Sequence, residues 1–274
     1  MSDDQKVRFI IGGVQKGGTT ALFRYLEDIP SLAMSTVKET HFFDDEEAVD
    51  WADPDYGRYH ALFPPADGRP RGEATPIYIY WPNCLERIAR YDPGVRLIFL
   101  FRDPVERAWS QWKMEYARGW DAMPFSQAIR EGRARVDCPE NPGFHRVYSY
   151  VERGFYADQL ERLYALFPRE QVLLLRSADL DRDPDATLAR LCGFVGADGP
   201  AGPVRRRREL VAKDIDYPST LTPEDVAYLR GLYAADQRRF SALAGFELVD
   251  WAGAGAPGAG GLLGRLAGWI GQSR

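Results

Sequence analysis

A glycine-rich loop with an internal lysine stands near the beginning of the sequence. The stretch "GGVQKGGTTAL" starts at Gly12, directly after the apolar run "FII". A strand, a glycine-rich turn and a helix place backbone N–H groups against a phosphate. Gly13 and Gly18 have the spacing of the nucleoside-triphosphate loop, but Thr19 follows them where that loop has lysine. Lys16, inside the loop, would direct its charge at the end of the ligand. These features favour an anion-binding loop over a simple glycine turn with a solvated lysine.

A second candidate anion site follows the apolar run "VRLIFLF". Arg102 comes directly after this run, at the carboxyl end of a predicted strand, which is the ligand side of a parallel sheet. Ser110 follows eight residues later, in the next helical pattern. An arginine and a hydroxyl suit a second phosphate, whereas a structural ion pair with Asp103 is the alternative for Arg102. A triphosphate-hydrolysing site needs an acidic residue at this strand end, and here an arginine comes first.

Group transfer to a hydroxyl requires a proton acceptor, and the stretch "KETHFF" offers Glu39 and His41. A carboxylate with a tuned pKa serves as a general base, while the imidazole of His41 has the intrinsic pKa closer to neutrality. We interpret Glu39 as the base and His41 as a supporting residue, with the reverse assignment and a purely structural role left open. Glu73 in "GEATP" is a second carboxylate near this opening, for which we predict a structural role.

The elements that must position these residues alternate along the chain. Buried strands are predicted at residues 7–11, 95–101 and 171–176, because each is a short, nearly continuous apolar run. Helical patterns accompany them, one of them over residues 148–168, and Asp-Pro pairs at residues 103–104 and 183–184 are typical helix starts. The alternation predicts an α/β fold: a single domain with a central, mainly parallel sheet, helices on both faces and a P-loop-like phosphate-binding loop.

Residues 44–71, 119–144 and 200–220 lack a regular pattern. Long irregular segments in a compact domain are often binding loops. Their aromatic side chains either stack on a sugar or aryl group or anchor the loops themselves. These candidates are Trp51, Tyr56, Tyr59, His60, Phe63 and Trp120.

Bulk composition limits the classes of protein. A chain of 274 residues, 45% hydrophobic, suits one large domain, and its net charge of −5 argues against a general nucleic-acid binder. The acidic start and the lack of any apolar stretch of ~20 residues predict neither a signal peptide nor a membrane span. Three separated cysteines predict reduced thiols in a cytoplasmic protein.

A composition change after Trp251 predicts a domain at residues 1–251 and a tail at residues 252–274. The tail begins with the linker-like stretch "AGAGAPGAGG" and ends in a short amphipathic segment. Such a segment docks on the body of the protein, on another subunit, or weakly on a membrane surface. The oligomeric state stays open.

Together, the stretches "GVQKGGTTAL", "KETHFFDD", "GEATPIYIY" and "LFRDPVERAWSQW" resemble the sulfotransferases that use 3′-phosphoadenosine 5′-phosphosulfate (PAPS). The closer likeness is to the branch that contains heparan sulfate sulfotransferases and many bacterial relatives. The likeness continues through "QVLLLRSADLDRDP" and extends to Trp251. It implies an enzyme that moves a sulfuryl group to a hydroxyl of a small-molecule or carbohydrate acceptor.

The resemblance also implies roles for individual residues. Arg102 and Ser110 would hold the 3′-phosphate, and Glu39 would be the catalytic glutamate. Lys16 would stabilise charge on the bridging oxygen as the sulfuryl group leaves, and no metal is required. The 5′-phosphosulfate would be held by Lys16, Gly17, Gly18, Thr19 and Thr20.

The sequence departs from the family pattern in two places. Ala74 stands where the heparan enzymes have a lysine near the transfer site, so the acceptor contacts differ. Their disulfide-bridged loop near the C-terminus has no counterpart, and "PVRRRRELVAKD" occupies that region. The arginines at residues 205–208 either close over the nucleotide or form a solvated charge run.

Two further function classes compete with a sulfotransferase. An ATP-dependent P-loop kinase requires Mg²⁺, and the sequence lacks its lysine-then-Ser/Thr pair. A non-enzymatic nucleotide-binding or membrane-associated protein would use the tail, but the intact set of Lys16, Glu39, Arg102 and Ser110 argues against it. Acceptors that suit the acidic balance are a neutral sugar, a nucleoside-containing metabolite or a peptide antibiotic.

Overall fold

The computed structural model describes residues 5–137, 142–205, 215–248 and 251. Two compact units account for them. The first comprises the described parts of Met1–Arg102 and Glu161–Ile215, and the second those of Asp103–Leu160 and Asp216–Arg274. Predictions for Cys138, for the arginines at residues 206–208 and for the tail at residues 252–274 lie outside the described residues.

Five parallel strands form the sheet of the first unit. Their bounds are β1 Phe9–Gly13, β2 Ala33–Met34, β3 Arg71–Ala74, β4 Arg96–Phe101 and β5 Val172–Arg176. The strand order is β2-β3-β1-β4-β5, and every pairing is parallel. The chain winds to one side of β1 and then to the other, so the switch point lies between β1 and β4. Open α/β sheets bind ligands at the carboxyl ends of the strands beside such a point.

Nine α-helices occur in the described part of the chain. Their bounds are α1 Thr19–Glu27, α2 Tyr56–His60, α3 Cys84–Tyr91, α4 Pro104–Ala117, α5 Phe125–Ala128, α6 Tyr156–Leu166, α7 Ser177–Arg182, α8 Pro184–Val195 and α9 Pro223–Ala244. Strands and helices thus alternate as predicted. None of these helices has the length and apolar character needed to span a lipid bilayer.

The sheet of the first unit is buried on both faces. Ile11 and Leu100 pack with Leu26 of α1 and Leu191 of α8 in one apolar cluster. Phe99, which alternates with Leu100 along β4 and so points to the opposite face, is also fully buried. Burial of both faces explains the nearly continuous apolar runs of β1, β4 and β5. The predicted α/β class with a central parallel sheet is confirmed.

Strands β2 and β3 were not predicted, because neither is an apolar run. Strand β3 reads "RGEA", and its glycine has a packing reason: a Cβ on Gly72 would lie 2.0 Å from the Phe9 ring. Glu73 in the same strand is fully buried. Only contacts with distant residues reveal that this polar stretch belongs to the middle of the sheet.

The second unit is built around aromatic side chains of α4, α5 and α9. Trp112, Phe125 and Tyr233 belong to one buried cluster. Asp103 caps α4, as predicted, by accepting hydrogen bonds from the N–H groups of Val105 and Glu106. Its second carboxylate oxygen pairs with Arg230 of α9, which gives Asp103 a cation partner within this unit.

The start of α6 differs from the prediction, which placed a helix from residue 148 onward. A short 3-10 turn spans Glu152–Gly154, and α6 begins only at Tyr156. The carboxylate of Asp236 accepts hydrogen bonds from the N–H groups of Tyr156 and Ala157, at 2.8 and 3.0 Å. A cap supplied 80 residues away in the sequence sets this helix start, so a local pattern could not locate it.

Candidate active site

The glycine-rich loop leaves the carboxyl end of β1 and runs beside the end of β4. The N–H of Val14 donates to the Leu100 carbonyl at 3.2 Å, and the N–H of Gly17 donates to the Val14 carbonyl at 2.9 Å. Ser177, the first residue of α7, donates its hydroxyl to the Gly17 carbonyl. A Cβ on Gly17 would lie 2.1 Å from the Leu100 oxygen. Glycine is therefore required for this close approach.

The end of the loop has the features of an anion site. Lys16 and Gly18 adopt left-handed backbone conformations, with φ of 68 and 97°, and α1 begins directly afterwards at Thr19. The first N–H groups of a helix have no acceptor within the helix. Helix α1 has no side-chain cap and no acidic residue in its first turn. A ligand anion would complete this helix end.

Three predicted site residues lie at the carboxyl ends of neighbouring strands in the first unit. Glu39 is fixed at the end of β3, because its N–H donates to the Ala74 carbonyl at 3.0 Å. The Lys16 loop follows β1, and Arg102, which is half-buried, follows β4. Since β3, β1 and β4 are adjacent and parallel, these residues lie along the same edge of the sheet. Ser110 is a half-buried residue of α4 in the second unit.

Charged side chains surround Glu39. Lys38 pairs with its Oε1 atom, and the Nε2 atom of His41 lies 3.5 Å from its Oε2 atom. The Nδ1 atom of His41 lies 3.0 Å from Oδ2 of Asp44, whose side chain is only 1% exposed. The segment thus forms a chain of alternating charges from Lys38 to Asp44.

These contacts shift both pKa values. Burial opposes ionisation of Glu39, but the hydrogen bond from His41 and the charge of Lys38 outweigh it and lower the pKa of Glu39 to about 2. Hydrogen bonds to Asp44 and Glu39 raise the pKa of His41 to about 9, against the effect of burial. At neutral pH, Glu39 is a carboxylate and His41 an imidazolium. His41 therefore carries a positive charge beside the carboxylate and has no free lone pair to accept a proton.

Glu73 lies beneath this segment. Its side chain is fully buried and accepts hydrogen bonds from the hydroxyls of Thr40, Thr75 and Tyr59, at 3.0, 2.6 and 3.0 Å. Burial raises the pKa of its carboxyl group, partly offset by these hydrogen bonds. Because the group has no exposed surface, it supports the segment instead of meeting a ligand at the opening.

Most aromatic candidates of residues 44–71 anchor that segment. Tyr59 is fully buried and stacks on Phe42, with ring centroids 4.9 Å apart, and Trp51 packs on Phe43 at 6.3 Å. Phe63 meets Tyr59 edge to face. Trp120 of the second unit is different: it is 56% exposed, with the Arg118 guanidinium 4.8 Å from its ring.

The sequence reasoning missed Thr40, Asp44 and Ser177. Asp44 follows His41 by three residues, and this short spacing is the signal in the sequence for the pairing of their side chains. Ser177 follows a predicted strand directly, where ligand-side residues of a parallel sheet are found. Thr40 gave no signal, because only the buried Glu73 shows what its hydroxyl does.

A parallel sheet with a glycine-rich lysine loop at its switch point, and a carboxylate at the neighbouring strand end, defines an α/β protein with a P-loop-like fold. Residues 6–214 match the family model described as the sulfotransferase domain. The chain belongs to this sulfotransferase family, whose members are transferases that use PAPS.

Individual relatives agree with the family match. The chain is 31% identical over 191 residues to heparan sulfate glucosamine 3-O-sulfotransferase 6 of Homo sapiens, across 68% of this chain and 51% of that protein. It is 31% identical over 192 residues to the human 3-O-sulfotransferase 3B1, across 68% and 45%. The chain thus spans about half the length of these curated relatives.

A solved sulfotransferase from Alicyclobacillus acidocaldarius is similar over more of the chain. Its TM-score is 0.71 at 27% sequence identity, and the match covers 90% of this chain and 98% of that one. The relationship to the heparan sulfate branch is confirmed, and the kinase alternative is not favoured by any of these matches.

Proposed function

We propose that the protein moves the sulfuryl group of PAPS to a hydroxyl of a small-molecule or carbohydrate acceptor. The observation that carries this proposal is the shared edge of the sheet. There the Lys16 loop and Arg102 follow the adjacent strands β1 and β4, and the backbone N–H of Glu39 is bound to the carboxyl end of β3. This arrangement supplies an anion-binding loop, a carboxylate and a second cation in one unit.

The loop residues fit the 5′ end of the donor. The first N–H groups of α1 and the hydroxyls of Thr19 and Thr20 suit the phosphosulfate oxygens, and Lys16 adds a positive charge. We assign the 3′-phosphate to Arg102 and Ser110. The place of Arg102 at a strand end supports its part of that assignment. The part given to Ser110 rests on its spacing from Arg102 in the sequence. PAPS supplies an activated sulfuryl group attached to a phosphate oxygen, and we expect no metal to be required.

Glu39 is proposed as the general base. The acceptor hydroxyl forms its oxygen–sulfur bond as the bond from sulfur to the bridging phosphate oxygen breaks, and Glu39 takes the hydroxyl proton. Lys16 stabilises the electron pair left on the phosphate oxygen. His41 supports Glu39, since both of its ring nitrogens face carboxylates. An acceptor that covers Glu39 removes water from it, and desolvation raises the basicity of a carboxylate.

For the acceptor we propose a hydroxyl compound with little negative charge. The net charge of −5 disfavours a polyanionic polymer. Ala74, at the position where the heparan enzymes have a lysine, is fully buried in the apolar core, so this position contributes no cation. A neutral sugar, a nucleoside-containing metabolite or a peptide antibiotic meets these conditions. The relatives named for heparan sulfate support a carbohydrate hydroxyl.

We further propose a bacterial, cytoplasmic protein that does not bind nucleic acid. The match to the Alicyclobacillus acidocaldarius enzyme over 90% of the chain supports the first point. Cys84 and Cys192 are buried free thiols, which is typical of a reducing compartment. Peripheral membrane contact through the tail at residues 252–274 stays a prediction from sequence.

The test is to incubate the protein with PAPS and a panel of hydroxyl acceptors in EDTA and to measure product masses. A gain of one SO₃ group, with release of adenosine 3′,5′-bisphosphate, is the expected result. A parallel reaction contains ATP, Mg²⁺ and the same acceptors. A phosphorylated product there, with no sulfated product from PAPS, would replace the proposal with the kinase alternative.

A further inference from the structure

The proposed catalytic segment, residues 38–44, has an unfavourable backbone on both sides of Thr40. Glu39 has a φ of 63° and His41 a φ of 51°. Residues with a Cβ rarely occupy this left-handed region, and they keep it only where the surrounding structure holds them. The side chain of Thr40, between them, makes contacts that explain how this backbone is held.

Thr40 is fastened to two fully buried residues. Its hydroxyl donates to Oε2 of Glu73 at 3.0 Å and lies 3.1 Å from the hydroxyl of Tyr78. Because Thr40 has one hydroxyl hydrogen and gives it to Glu73, Tyr78 is the donor in the second contact. The hydroxyl of Tyr78 also accepts from the N–H of Phe43 at 3.4 Å. The segment is thus held at Thr40 and again three residues later.

The presence of a carboxylate at Glu73 needs an explanation. An ionisable acid is costly to bury unless hydrogen bonds satisfy it. Glu73 gains from hydroxyl donors: Thr40 and Thr75 share its Oε2 atom, and Tyr59 donates to Oε1. A carboxylate accepts all three bonds, whereas a glutamine amide would place an N–H₂ group against one set of donors.

Strand β3 also holds the backbone of the segment. The residue after Glu73 is Ala74, whose carbonyl accepts the N–H of Glu39 at 3.0 Å. Two successive residues of β3 therefore fix two successive residues of the catalytic segment, one through the backbone and one through the side chain. Because β3 pairs with β1 in the sheet, β3 holds the segment next to the strand that carries the Lys16 loop.

We propose that Glu73 is a positioning residue for sulfuryl transfer: it holds Thr40, and Thr40 keeps Glu39 and His41 in the geometry that the reaction uses. This inference rests on the proposed function. Glu73 itself touches neither donor nor acceptor.

The first test compares Thr40→Val with Thr40→Ser in the full chain. Valine keeps the branched shape but removes the hydroxyl, so kcat should fall by about tenfold or more, as small misplacements of reacting groups do. The KM for the acceptor and the affinity for adenosine 3′,5′-bisphosphate should change by less than about threefold. Serine keeps the hydroxyl and should restore most of kcat.

Tyr59→Phe is the matched control. It removes one hydrogen bond from the other oxygen of Glu73 but keeps the ring that stacks on Phe42, so Tm should fall while kcat changes less than in Thr40→Val. Glu73→Gln should lower kcat as Thr40→Val does. The kcat of the double variant should be no lower than that of the more impaired single variant, because both substitutions break the same connection. Equal effects of Tyr59→Phe and Thr40→Val on kcat would make Glu73 a stability residue only.

A measurement without turnover separates this inference from the proposed function. The groups that face His41 are Glu39 and Asp44, and NMR of the imidazole reports its pairing with them. Thr40→Val should loosen the pairing with Glu39 and lower the pH at which His41 titrates, whereas Tyr59→Phe should not. If His41 titrates as in wild type in Thr40→Val, the positioning role is wrong. If the titration shifts but the wild-type protein never sulfates an acceptor, only the proposed function fails.

Discussion

The Nδ1 atom of His41 lies 3.0 Å from the buried Oδ2 atom of Asp44. The other ring nitrogen faces Glu39 at 3.5 Å. An imidazole with carboxylates at both nitrogens is stabilised as an imidazolium. This relationship supports Glu39 over His41 as the proposed base, because a protonated His41 has no lone pair to accept the acceptor's proton.

His41 should titrate well above the usual range of histidine. Its pKa is raised to about 9, first by the hydrogen bond to Asp44 and then by the one to Glu39. Asp44→Asn removes the carboxylate charge and should lower this pKa more than Glu39→Gln does. An NMR titration of the imidazole resonances measures the pKa of His41 in wild type and in both variants. Asp53→Asn, at an exposed position, is the control. Titration of His41 near pH 6.5 in wild type would contradict the observed pairing.

The same pairing predicts how stability depends on pH. The raised pKa of His41 means that its contribution is fully present below its ordinary value of 6.5 and is lost as pH rises through about 9. The lowered pKa of Glu39 means that its contribution is present above 4.5 and is lost as pH falls toward about 2. The free energy of urea unfolding of wild type and of His41→Asn should therefore differ most between pH 4.5 and 6.5, and the two values should converge above pH 9.

Glu39→Gln should abolish most turnover while donor binding survives. Glutamine keeps the shape but cannot take a proton, so kcat should fall by roughly 10²–10⁴, the usual contribution of a general base. Higher pH should not rescue it. His41→Asn should be milder, and the exposed Glu47→Gln should be neutral. The measurement uses an aliphatic hydroxyl acceptor, because a phenol needs less help to lose its proton. Loss of turnover in His41→Asn with normal Glu39→Gln would reverse the roles.

Lys16→Ala should slow turnover by on the order of 10²-fold or more, because a charge aimed at the leaving oxygen is removed. Binding of adenosine 3′,5′-bisphosphate, measured by calorimetry, should suffer less than turnover. Lys6→Ala removes the same charge from a lysine that pairs with Asp92, away from the loop, and serves as the control. Near-normal turnover in Lys16→Ala would remove Lys16 from the proposed mechanism.

Arg102→Ala should discriminate between nucleotides. A charge-assisted hydrogen bond contributes about 1.5–3 kcal/mol, so affinity for adenosine 3′,5′-bisphosphate should fall by about tenfold or more. Affinity for adenosine 5′-phosphate, which has no 3′-phosphate, should change little. Arg182→Ala, at a side chain that is 70% exposed, is the control. Equal weakening of both nucleotides would mean that Arg102 supports the fold only.

Truncation after Trp251 should leave nucleotide affinity and Tm unchanged, because residues 252–274 lie outside the sequence resemblance. Trp251 itself belongs to the second unit: it is 4% exposed and its ring is stacked 5.6 Å from that of Phe240. A truncation after Leu248, which removes this tryptophan, should therefore lower Tm. A large loss of nucleotide affinity in the first truncation would show that the tail contributes to the site.

Much of the fold could be predicted because its signals are local. The apolar runs of β1, β4 and β5 and the Asp-Pro helix starts of α4 and α8 depend on neighbouring residues alone, and the structure contains all five elements. Strand β3 and the first residue of α6 escaped prediction. Gly72 is a glycine because of the Phe9 ring, and α6 begins at Tyr156 because of Asp236.

The sequence by itself determined the chemistry of the candidate site: the spacing of the loop glycines, the lysine within them, a carboxylate and an imidazole two residues apart, and an arginine at the end of a predicted strand. Side-chain type and short spacing carry that information. The tertiary structure alone decided which strand ends are neighbours, that His41 is held between Asp44 and Glu39, and that Glu73 is buried under Thr40. Sheet order and burial arise from contacts between residues far apart in the chain, and these contacts set the protonation states of Glu39 and His41.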